Sequence, residues 1–163
     1  MSYKLHNFFR SSTSTRLRAA LNIKGLDYDY IPYILRNGET RSPEYLAKNP
    51  AGLVPTLELE DGTCLTQSLA IIEWLEERHP TPALLPADTD ERARVRALSY
   101  MIACEIHPLN NLRVLMYLGK ELGAEEDAQK KLVYALGETN LRSAGKKLWQ
   151  RLLRRDVIAW RYA

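Results

Sequence analysis

Cysteine is scarce. Cys64 and Cys104 are the two cysteines in 163 residues, they form no C-x-x-C pair, and neither stands at a zinc-like spacing from other ligand types. A disulfide-stapled secreted domain is excluded, and the expectation is a reducing, cytoplasmic setting with no metal. Long apolar runs are lacking as well. No stretch approaches the roughly 20 apolar residues that span a bilayer, so no membrane partner is expected. The first residues, Met1 to Asn7, have none of the apolar centre of a secretory leader. Internal repeats and low-complexity segments are absent too, which removes solenoids and disordered tracts.

What is present is an ordinary globular composition, 45% apolar and 26% charged, in a chain long enough for one domain or two small ones. The net charge of +3 is uneven: residues 1–132 carry 16 Lys and Arg against 18 Asp and Glu, while residues 133–163 carry 7 against 2. The basic character therefore belongs to the tail, centred on Trp149 to Arg155. A basic tail is an electrostatic lure for nucleic acid, but no nucleic-acid motif accompanies it, and no nucleic-acid partner is expected.

Periodicity sets the order of elements. Residues 3–9 alternate as a short strand. Ser11 to Thr15 offer helix caps, Leu17, Ala20 and Leu21 follow helical spacing, and Gly25 sits where a glycine ends a helix. Residues 27–32 alternate again, residues 34–42 read as a loop, and Pro43 opens a short helix that Asn49-Pro50 breaks. Asp61-Gly62 between the runs 56–60 and 63–66 marks a hairpin. Residues 67–79 form a helix ended by Pro80 and Pro82. The first two strands, joined by a helix, are expected to be parallel, and the hairpin to add antiparallel strands. From Thr89 onward the apolar residues recur at helical spacing, with a kink at His107-Pro108. A last amphipathic helix is expected along Leu148, Leu152, Leu153 and Val157.

Four blocks carry a resemblance. Phe9 to Leu21 is Ser-rich and contains Arg16-x-Arg18 after its serines; Asn49 to Leu57 contains Val54-Pro55; Leu65 to Glu76 contains Gln67-Ser68; Ile106 to Leu115 contains His107, Asn111 and Arg113. In this order they resemble the zeta-class glutathione transferases, which include the maleylacetoacetate and maleylpyruvate isomerases. The resemblance covers residues 3 to about 132. It implies an α/β thioredoxin-like N-terminal domain (residues 1–80), a linker (81–87) and an all-α C-terminal domain (88–163), incomplete here, the whole as a homodimer.

The resemblance also implies the chemistry. Glutathione is the cofactor. Its thiol titrates near 8.5 and must be held as the anion, a task assigned to Ser11 with Ser12 in reserve, beside Thr13 and the helix N-terminus at Ser14. By the residues alone these serines are helix caps. Thr13 departs from the Cys of many members and matches the maleylpyruvate type. Val54 and a cis-Pro55 would present backbone to the cysteinyl part of glutathione, and Gln67 and Ser68 would hold its γ-glutamyl carboxylate. His107 and Asn111, four residues apart and expected on one helical face, also line the cofactor. Arg10 and Arg113 would clamp a dicarboxylate substrate; otherwise they are solvated charges. The implied reaction is glutathione-dependent cis–trans isomerisation of a maleyl acid to the fumaryl product. Alternatives are a glutathione-conjugating transferase and a non-catalytic glutathione-binding remnant.

Beyond about Leu132 the resemblance is lost as the charge switches sign. A shifted reading frame or truncation is expected there, which sequencing of the encoding DNA would test. Apolar stripes on the 89–118 helices would then lie unburied and favour association.

Overall fold

In the computed structural model, residues 2–143 are described, in two units, Met1–Ala87 and Asp88–Ala163. The helix expected along Leu148 to Val157 lies outside the described residues.

The first unit runs β1 (Tyr3–Asn7), α1 (Ser12–Ile23), β2 (Tyr28–Pro32), α2 (Pro43–Lys48), β3 (Thr56–Glu58), β4 (Cys64–Thr66) and α3 (Ser68–Arg78). The sheet order is β2-β1-β3-β4. β1 and β2 are parallel, because α1 carries the chain back between them, and the β3–β4 hairpin runs antiparallel. This is the thioredoxin-like arrangement the resemblance implies. The hairpin turns where Asp61-Gly62 marks it: Gly62 has φ 84°, a region open to glycine, and Asp61 Oδ1 accepts the Thr63 N–H at 2.9 Å. The expected loop 34–42 is tighter than a loop, forming two 3-10 turns, Leu35–Asn37 and Glu39–Arg41.

The two faces of the sheet differ. Leu5 and Leu57 pair across β1 and β3 and join Tyr3, Leu17, Leu21, Ile71 and Leu75 in one buried core against α1 and α3. Each such aliphatic side chain contributes about 1.5–3 kcal/mol on burial. The other face is polar. Glu58 receives Lys4 at 2.9 Å, Lys48, and His6 Nε2 at 2.9 Å. The Lys48 and Lys4 ammonium groups hold its carboxyl down at about 2. Burial pushes His6 below its ordinary value, so the neutral ring donates from Nε2 to Glu58 and accepts the Tyr33 hydroxyl at Nδ1, 3.0 Å away.

The second unit contains α4 (Thr89–Tyr100), a π-helical stretch (Met101–Ile106), a 3-10 turn (His107–Asn110), α5 (Leu112–Lys120) and α6 (Glu126–Ser143). Asp88 caps α4, accepting the Glu91 N–H at 2.9 Å. The kink expected at His107-Pro108 is a full break. Pro108 has no N–H to donate and its ring crowds the preceding turn. The chain widens before it, tightens after it, and leaves helical geometry at Asn111 (φ −66°, ψ 139°) before α5 begins. His107 and Asn111 therefore do not share a continuous helical face, contrary to the spacing argument.

Candidate functional site

The turn after β1 and the first turn of α1 form the centre of the candidate site. α1 begins at Ser12, two residues before the expected start, because Ser11 is its N-cap: the Ser11 Oγ accepts the Ser14 N–H at 3.2 Å. No acidic residue stands in the first turn, so the positive end of the helix is not neutralised from within.

Ser11 does more than cap. Its Oγ lies 2.8 Å from Thr13 Oγ1, and the Thr13 hydroxyl donates to the Val54 carbonyl at 3.0 Å. Thr13 has one hydrogen and directs it to Val54, so the Ser11 hydroxyl donates to Thr13. A relay thus connects Ser11, Thr13 and the residue before Pro55. The Val54-Pro55 bond is cis, as the resemblance implies. Ser11, Thr13 and Val54 are half-buried, Ser14 and Pro55 are buried, and Arg10 and Ser12 are exposed.

The Val54 segment is fixed from behind by three side chains the sequence reading did not single out for the site. The Tyr45 hydroxyl donates to the Leu53 carbonyl at 2.6 Å, the Asn49 Nδ2 donates to the same oxygen at 2.7 Å, and both lie 3.1 Å from Thr56 Oγ1. Burial pushes the Tyr45 phenol above its ordinary value, which keeps it a donor. The Asn49-Pro50 break and the short helix before it were visible; that both hold a carbonyl was not, because the bonds depend on where β3 lies.

At α3, Gln67 is the N-cap residue with φ 65°, and its side chain makes no capping bond. A positive φ at a residue other than glycine is costly and concentrates at functional sites. Ser68 begins the helix, is buried, and accepts a hydrogen bond from Arg16 Nη1 at 3.0 Å. With that lone pair occupied by a cation, the Ser68 hydroxyl keeps its own hydrogen for an acceptor. Arg16 therefore ties α1 to the start of α3. Its signal was the Arg16-x-Arg18 spacing, which marked the motif without saying what either arginine touches.

His107, Asn111 and Arg113 belong to the second unit. His107 opens the 3-10 turn and is half-buried. The Asn111 Oδ1 accepts the Arg113 N–H at 3.1 Å, making Asn111 the N-cap of α5, and Arg113 is exposed. Among the described residues no cluster of three His, Cys, Asp or Glu side chains has the geometry to hold a metal ion, and no helix is long and apolar enough to cross a membrane.

Residues 10–78 match the family model of the glutathione S-transferase N-terminal domain. A maleylpyruvate isomerase of a Ralstonia species is 55% identical over 125 residues, which are 77% of this chain and 58% of that protein. The chain thus spans under three-fifths of that relative's length. Among solved structures, the holo form of a maleylpyruvate isomerase described as a bacterial zeta-class glutathione S-transferase superposes with a TM-score of 0.84 at 47% identity, covering 94% of this chain and 69% of that one. A maleylacetoacetate isomerase from Methylobacterium extorquens AM1, solved with malonate and glutathione, superposes with a TM-score of 0.83 at 35% identity over the same shares. The chain belongs to the zeta-class glutathione transferases.

Proposed function

We propose that this chain binds glutathione and uses it to isomerise maleylpyruvate or maleylacetoacetate to the fumaryl product. The observation that carries this reading is the Ser11 hydroxyl at the unneutralised N-terminus of α1, joined through Thr13 to the carbonyl before cis-Pro55. The donor set fits glutathione. Ser11 can turn its hydroxyl from Thr13 toward a sulfur anion, and the helix end favours the charged form. Ser68, backed by Arg16, presents a hydroxyl hydrogen to a carboxylate. Bound glutathione would supply a thiolate able to add reversibly to the maleyl double bond and so free it to rotate.

The chain's own part is to hold the anion and orient the two reactants. Ser11 and the α1 N-terminus hold the sulfur, with Ser12, Thr13 and Ser14 completing that turn. Val54 offers backbone, and Gln67 and Ser68 take the γ-glutamyl end. Arg10 is the first unit's candidate for a substrate carboxylate; in the second unit the resemblance assigns that part to Arg113 and cofactor contacts to His107 and Asn111. A homodimer in the cytoplasm is the assembly and setting that accompany this reading.

The test is isomerisation of both maleyl acids by purified protein with and without glutathione. Turnover that requires glutathione is expected, and Ser11→Ala is expected to lower kcat/KM by about 10²–10³-fold, the typical loss of one anion-stabilising donor. Turnover independent of glutathione, or a fully active Ser11→Ala, would refute the assignment. Glutathione binding without turnover would reduce the function to binding alone.

A further inference from the structure

We propose that Arg18 is the positioning residue for the turn between β1 and α1, holding the backbone on both sides of Arg10 so that Arg10 and Ser11 are presented at fixed places. The role rests on the function proposed above. After Asn7 the chain leaves the sheet, and residues 8–11 are joined by a single backbone bond of their own, Ser11 N–H to the Phe8 carbonyl at 3.0 Å. Ser14 supports the two ends of this turn, its Oγ accepting the Phe8 N–H at 3.5 Å and its N–H donating to Ser11 Oγ at 3.2 Å, and the backbone between those ends needs a further hold to stay in place. Arg18 lies beyond the first turn of α1 and reaches back to it. Its Nη1 donates to Asn7 Oδ1 at 2.8 Å and to the Phe8 carbonyl at 3.5 Å; its Nη2 donates to the Phe9 carbonyl at 3.1 Å and to Thr15 Oγ1 at 2.8 Å.

Each end of this clasp is anchored. Asn7 is fully buried and donates from Nδ2 to the Leu5 carbonyl at 3.1 Å. The Thr15 hydroxyl, accepting from Arg18, passes its own hydrogen to the Ser11 carbonyl at 3.0 Å. Arg18 therefore holds the Phe9 carbonyl just before Arg10 directly, and the Ser11 carbonyl just after it through Thr15. One planar cation spans the last residue of β1, the turn and the first turn of α1. A lysine ammonium offers its donors from one point and cannot span these acceptors. The guanidinium also sits beside the helix N-terminus, where a cation adds to the positive potential that favours an anion.

The test compares wild type with Arg18→Ala, Arg18→Lys and Thr15→Val in the full chain by three readouts: hydrogen exchange by peptide, kcat and KM, and the pH dependence of ultraviolet absorbance of bound glutathione thiolate. In Arg18→Ala, exchange is expected to quicken over residues 8–15 while β1, β3 and α3 stay as in wild type. Its kcat/KM is expected to fall about 10²-fold, the size of loss that follows small misplacement of reacting groups, chiefly in kcat. Its thiol is expected to ionise at higher pH. Arg18→Lys should recover part of the loss, and Thr15→Val should move every readout the same way by less. Exchange unchanged at 8–15, or quickened equally across the sheet, would overturn the positioning role, as would wild-type kcat/KM and thiol ionisation in folded Arg18→Ala. A wild type with no glutathione-dependent turnover would instead overturn the proposed function, and the exchange result would still decide the role of Arg18.

Discussion

The two units carry similar apolar patterning and spend it differently. In the first, seven side chains from β1, β3, α1 and α3 close one buried core. In the second, Leu98 is buried, while Tyr100, Leu109, Met116, Tyr117 and Leu122 are exposed. An amphipathic stripe states which face a helix can bury; burial itself requires a surface opposite that face. The 89–118 stripe expected to lie unburied does so only in part: Leu109 and Met116 are exposed, Leu98 is buried, and Val95, Met101, Ile102, Ile106, Leu112, Leu115 and Leu118 are half-buried.

The contrast extends to charge. Lys24 is a core cation of the first unit: its side chain is fully buried and its Nζ donates to Glu76 at 2.8 Å and to the His79 and Pro82 carbonyls. Glu76 also accepts the Leu84 and Leu85 N–H groups at 3.0 Å. In the second unit, Lys130 pairs with Glu126 on the surface of α6 at 2.9 Å, where solvent screens the pair.

Four measurements would break or sharpen this comparison. Glu76→Ala should cost about 3–5 kcal/mol by denaturant unfolding, since it strands the buried Lys24 charge; a loss near zero would mean that the two carbonyls suffice. Leu57→Ala should cost about 3 kcal/mol through its cavity, read in the same assay. Acid should weaken the first unit in two steps. His6 has its folded value lowered from 6.5 by burial, so the unfolded chain takes up that proton first and stability declines as pH falls below about 6.5. Glu58 is lowered from 4.5 to about 2, so its contribution, about 2 kcal/mol after allowance for its partly exposed lysine partners, is present above pH 4.5 and lost as pH falls toward 2. Glu58→Gln should flatten the lower step; an unchanged acid transition would remove Glu58 from the account. The smallest effect belongs to the second unit. Met116→Gln should change stability by no more than about 0.5 kcal/mol while reducing self-association in sedimentation. A loss above about 2 kcal/mol would show that this face is covered in solution.

Much of the first unit was legible because its signals are local. Alternation, the Asp61-Gly62 turn and the Ser11 cap each act within a few residues. The departure in the second unit has a local cause. The shared face assumed for His107 and Asn111 took helical spacing through Pro108, and a proline before the second residue of the pair ends the ladder on which that spacing rests. Arg18, Arg16, Tyr45 and Asn49 were overlooked as site residues because each acts on a carbonyl or hydroxyl that folding brings to it.

By itself the sequence determined the order of elements, the parallel and antiparallel strands and the identity of the residues at the head of α1, since hydrogen bonds between near neighbours and side-chain periodicity decide these. Only the tertiary structure decided that the Ser11 hydroxyl points to Thr13 and Thr13 to Val54, 41 residues beyond Thr13, that Arg16 stands behind Ser68, and that Arg18 clasps the turn. Those bonds join elements whose approach is set by the core between α1, the sheet and α3, and no local pattern encodes that distance.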